Sequence, residues 1–129
     1  MKFLTLFFAV FLLSACLEER LAFTVEAAPV RADIVRLDDA PAGSIAYSAT
    51  FAELDKSGIL DQNVGVVATP IAGLTIRILA QDQSELATLV TDGEGRVRFE
   101  AAVDDLAGVR RLEWTGTYAD RPFRVLRDL

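Results

Sequence analysis

The one strong nucleophile in this chain is the thiol of Cys16, which follows Leu13-Ser14-Ala15 at the end of an apolar run. No other cysteine and no histidine occur among the 129 residues. That removes Ser-His-Asp triads, Cys-His nucleophiles, histidine-containing metal sites and disulfides together. Oxygen chemistry is what remains. Asp38-Asp39 and Asp104-Asp105 are adjacent carboxylates, and Asp55, Asp61, Asp92 and Glu94 stand among turn formers. Loop carboxylates can coordinate calcium, but no stretch follows the twelve-residue EF-hand spacing, and Asp92-Gly93-Glu94-Gly95 is accounted for as a turn. Acid/base catalysis needs two carboxyls facing one substrate in unlike environments, whereas neighbours in a loop are ordinarily solvated. Lys56-Ser57 has the residue types of a Ser/Lys dyad but lies in a polar loop. Trp114 and Tyr118 could stack on a sugar ring; their even spacing with Leu112 favours burial. Arg110, Arg111, Arg121, Arg124 and Arg127 form a basic patch or sit outward beside acids. No catalytic residue, metal site or cofactor is assigned, and none of these groups points to an enzyme.

What precedes Cys16 has the layout of an export signal. Lys2 gives a charged start, Phe3 to Leu13 is apolar, and Ser14-Ala15 are small. The apolar run is about half the roughly 20 residues that span a bilayer as a helix. Leu13-Ser14-Ala15-Cys16 resembles the bacterial lipoprotein box. That resemblance implies cleavage after Ala15, acylation of Cys16 and a membrane-held amino terminus; the competing reading is an ordinary signal peptide cut near Ala15. Leu17 in place of Asp after the cysteine implies the outer membrane rather than retention at the inner one.

Removing residues 1–15 leaves 114 residues, enough for one self-standing core. Lys2 departs with the signal, leaving 12 basic against 19 acidic residues and a net charge of −7. Such a balance disfavours nucleic acid and electrostatic attraction to anionic headgroups, so the lipid must do the holding. The expected organisation is a signal peptide over 1–15, a lipidated tether with a possible first strand over 16–28, and a domain over 29–129.

Within that domain the apolar pattern alternates with period two. Val30, Ala32 and Ile34 share one face; so do Ile45, Tyr47, Ala49 and Phe51, then Leu74, Ile76 and Ile78, then Val97 and Phe99, then Leu112, Trp114, Gly116 and Tyr118. In Glu85 to Thr91 the inward face is ambiguous between Leu86/Val90 and Ala87/Leu89. Val103 to Ala107 reads as a helical turn. These short strands predict an all-β sandwich of about seven strands. Asp55 to Pro70 is the longest irregular stretch, and its Val64-Gly65-Val66-Val67 reads either as a short edge strand or as core.

Two segments carry a further likeness. Pro70-Ile71-Ala72-Gly73-Leu74-Thr75-Ile76-Arg77-Ile78 and Thr91-Asp92-Gly93-Glu94-Gly95-Arg96-Val97-Arg98-Phe99 resemble the frame of bacterial Ig-like domains of the invasin/intimin type, which carboxypeptidase-regulatory-like and transthyretin-like domains share. The resemblance implies a single Ig-like sandwich that binds rather than catalyses. The expected function is thus a non-enzymatic, lipid-anchored protein of the bacterial outer membrane. Its domain binds or scaffolds another envelope or surface protein through Val64, Val66 and Val67, at the end away from the lipid. A carbohydrate- or small-ligand-binding lipoprotein is the alternative.

Overall fold

Eight antiparallel strands form two facing sheets in the computed structural model, which describes residues 29–129. In chain order they are β1 (Arg31–Leu37), β2 (Ser44–Asp55), β3 (Val67–Pro70), β4 (Thr75–Ala80), β5 (Glu85–Val90), β6 (Arg96–Ala102), β7 (Arg111–Tyr118) and β8 (Arg121–Asp128). A single 3-10 turn, Val103–Leu106, joins β6 to β7. One sheet runs β1-β2-β6, with β3 also on β2; the other runs β5-β4-β7-β8. Strands adjacent in space are thus drawn from both halves of the chain, a Greek-key order in a β-sandwich.

The core is built by the alternation of the strands. Tyr47, Ala49 and Phe51 from β2, Ile76 and Ile78 from β4, Val97 and Phe99 from β6, and Leu112 and Trp114 from β7 are all buried. Each large apolar side chain withdrawn from water contributes roughly 1.5–3 kcal/mol. Phe99 meets Trp114 edge-on, with centroids 6.1 Å apart and planes at 81°. Ile45 and Tyr118, expected inside, pack against this core but stay partly exposed at its two ends. Opposite Gly116, Phe123 lays its ring where a Cβ would stand, within 2.6 Å of that position. The glycine therefore makes room for an aromatic from the next strand.

Strand β5 escapes the two-residue period for a physical reason. Ile78 pairs with Ala87 but Leu79 pairs with Glu85, so Leu86 is an extra residue. A bulge of this kind re-aims neighbouring side chains. Leu86, Ala87 and Leu89 all pack on the core, while Val90 is exposed.

One edge of β2 is shared. β6 pairs with Ser44 to Thr50, and β3 takes the overhang from Ala52 to Asp55. Phe51 is the changeover: its N–H donates to the Gly95 carbonyl at 2.8 Å, and its carbonyl accepts from the Ile71 N–H at 3.0 Å. Gly95 has φ +72°, and a Cβ there would lie 2.5 Å from the Phe51 oxygen. Thr91, buried beside it, clamps the turn into β4. Its hydroxyl donates to the Ile71 carbonyl at 2.6 Å and accepts from the Leu74 N–H at 2.8 Å.

The eighth strand, β3, is a correction to the expected register. It runs Val67–Pro70 rather than Val64 to Val67. Val64 is instead caught in a turn, its N–H donating to the Asp61 carbonyl.

Candidate functional site

Cys16, the signal peptide and the tether lie outside the described residues. The other candidate residues all have places. Asp92 is a turn former: its carboxylate accepts from the Glu94 and Arg96 N–H groups, each at 2.9 Å. These bonds, Arg96's first, hold its pKa below the usual carboxylate value. Asp39 pairs with Arg98, which also holds Glu100. Asp104 and Asp105 stay exposed in the 3-10 turn. Among the described residues no three acidic side chains gather as a metal site would require. Trp114 is wholly buried, so it cannot form a stacking platform with Tyr118. The Tyr118 hydroxyl donates to Glu53 at 2.7 Å, which raises its pKa.

Of the two readings of the arginines, Arg111 and Arg124 follow the one that sets them beside acids. Arg124 and Arg111 both reach the Glu113 carboxylate, at 2.7 and 2.9 Å, and Gln83 donates to its other oxygen at 2.9 Å. Glu113 faces away from the core, between Leu79 and Leu126 on the neighbouring strands, yet only 1% of its side chain is exposed. With Arg124 as the largest influence, then Gln83, its pKa falls to about 2. Sequence reading missed this cluster because alternation marks Glu113 merely as outward. What identifies it is cover from the strands on either side.

The remaining distinctive surface is the β2–β3 loop, residues 56–66. Asp55 starts it by accepting from the Ser57 N–H at 2.8 Å, which lowers the Asp55 pKa. Ile59 N–H then donates to the Lys56 carbonyl at 3.1 Å and Asp61 N–H to the Gly58 carbonyl at 2.9 Å. The Asp61 carbonyl takes both Val64 and Gly65 N–H groups, and its side chain takes that of Asn63 at 2.9 Å. Gly58 sits against Val64 so closely that a Cβ would be 2.4 Å from a valine methyl. The loop is a chain of turns in which the N–H groups of Ser57, Ile59, Asp61, Asn63, Val64 and Gly65 are met locally. The apolar side chains of the loop and of Val67 at the start of β3 are turned outward: Ile59, Leu60, Val64, Val66 and Val67 are exposed, Leu60 to 96%. Five such residues within nine positions make a patch of the kind that marks interaction surfaces.

Its position follows from the strand register. Arg31 pairs with Ala52 and Val67 pairs with Asp55, so the start of β1 and the loop share one end of the sandwich. A cleft of about 280 Å³ there is lined by Pro29, Leu54, Lys56 and Ala119, among others. The loop therefore stands beside the first described residue, not at the opposite end. All four residues of β3 are exposed, and its outer edge has no strand beside it among the described residues.

No family model, curated protein or solved structure matches this chain.

Proposed function

We propose that this protein is a lipoprotein of the bacterial outer membrane, held by acylated Cys16, whose sandwich acts by binding an envelope or surface protein. The observation that carries this reading is the outward-turned apolar run ending in β3, whose outer edge has no strand beside it among the described residues. An exposed strand edge offers unpaired N–H and C=O groups, and a partner can add an extended segment to it. Val66 and Val67 flank the start of that edge and supply apolar contact, while Val64 belongs to the loop before it. Because the edge lies at the end where residue 29 begins the fold, the partner that suits it is one seated at the same membrane.

The test is cross-linking in the native envelope with two variants. Cys16→Ser should abolish palmitate incorporation and release the chain from the membrane fraction. Val66→Lys/Val67→Lys should leave the fold and the acylation intact but lose the cross-linked partner, since two ammonium groups would have to be desolvated in the contact. Capture that persists undiminished in the double variant would rule out β3 as the binding edge.

A further inference from the structure

We infer that the β2–β3 loop is a second membrane contact, with Ile59, Leu60 and Val64 dipping into the lipid interface beside the acylated amino terminus. The inference rests on the anchor proposed above and concerns the loop tip, separate from the β3 edge.

Position is the first argument. Cys16 precedes Pro29 by 13 residues. A fully extended segment of that length reaches about 45 Å, so an acyl anchor at Cys16 keeps the sandwich within that distance of the bilayer. Pro29 and Lys56 line the same cleft, so the tether joins the fold beside this loop. Any insertion is then intramolecular, where effective concentrations reach the millimolar range and weak affinity suffices.

Backbone chemistry is the second. At a lipid interface, each backbone N–H that a loop bonds within itself is one fewer polar group to desolvate. The N–H groups of Ser57, Ile59, Asp61, Asn63, Val64 and Gly65 all find acceptors within residues 55–61. Meanwhile Leu60, 96% exposed at the tip, and Ile59, 58% exposed, offer aliphatic surface with no protein cover. Lys56 and Asp61 flank them and limit the depth to the headgroup boundary, about 5–10 Å. The net negative charge means the contact is made through apolar area, so it should survive salt that would weaken a basic patch.

The experiment uses full-length acylated chain reconstituted in phosphatidylethanolamine/phosphatidylglycerol vesicles. With Cys16 acylated, Leu60→Cys carries the one free thiol and takes an environment-sensitive fluorophore; Ala107→Cys, exposed at the opposite end, is the control. The expected result is a blue shift and quenching by acyl-chain spin-labelled lipid at position 60, little changed by salt, with neither at position 107. A water-like spectrum at 60 overturns the proposal. A blue-shifted label that the lipid quencher does not touch means protein covers the tip, a second copy or residues 17–28, and overturns it equally. Label entering the parent chain reports an unacylated Cys16 and sinks the anchor alone. Flotation of that chain with vesicles then decides the loop: Ile59→Ser/Leu60→Ser should lower the bound fraction by roughly tenfold or more, and no change overturns it.

Discussion

The hydroxyl of Thr91 shows how much a single atom can organise. It donates to Ile71 and accepts from Leu74, while its own backbone exchanges bonds with Leu74 and Gly73. Four bonds from one buried residue fasten the turn that delivers β4 to the core. Thr91→Val keeps the shape and loses both hydroxyl bonds, leaving a buried carbonyl and a buried N–H unmet. We expect a loss of about 1–3 kcal/mol in denaturant unfolding; a variant as stable as the parent would mean that water reaches both groups. The threonine was visible in the sequence as part of a turn frame, but its clamp was not, because Ile71 and Leu74 lie 20 and 17 residues away. Glu113 was hidden for a related reason. A period-two pattern reports which face a residue is on; it does not report whether longer side chains from adjacent strands close over that face.

At the scale of elements, β2, β4, β6 and β7 could be read from alternation because one face of each is buried against the other sheet. β3 could not, since both its faces are exposed and burial imposes no pattern on it. β5 alternates on either side of a bulge, and the two phases superimpose into ambiguity. The β7–β8 hairpin turns just before the Arg121-Pro122 pair. Ala119 and Asp120 form a two-residue connection with φ of 49° and 61°, and Pro122 already pairs with Thr117. Both central residues are left-handed, as in a type I′ turn, where Asn-Gly is preferred. Alanine has neither glycine's freedom nor asparagine's local hydrogen bonding in that region. Ala119→Asn/Asp120→Gly should therefore raise stability by about 1 kcal/mol and the melting temperature by several degrees. A melting temperature that falls would show that the native side chains make compensating contacts with the neighbouring cleft.

For the whole molecule, the response to acid follows from its carboxylates. Asp55, Asp82, Glu85, Asp92 and Glu113 all have lowered pKa values in the fold, Glu113 down to about 2 from 4.5. Below the unfolded values the unfolded chain binds more protons, so stability is fully present above about pH 4.5 and is lost as pH falls towards 2. Relief of the net negative charge acts in the opposite direction and softens the slope. With no histidine, no side chain has an ordinary pKa between pH 5 and 8, and stability there should be nearly flat. Urea titrations across that range and down to pH 2 check both statements, and Glu113→Gln should flatten the acid limb. The sharing of the β2 edge has a different kind of consequence. No residue between Phe51 and Ile71 is buried, and β3 rests only on the overhang of β2 beyond its pairing with β6. Insertions, deletions and changes of composition can accumulate in that excursion while the core composition and Greek-key order stay as they are. The exposed loop and β3 are thus free to diverge, while the sandwich that carries them changes only as fast as its packing permits.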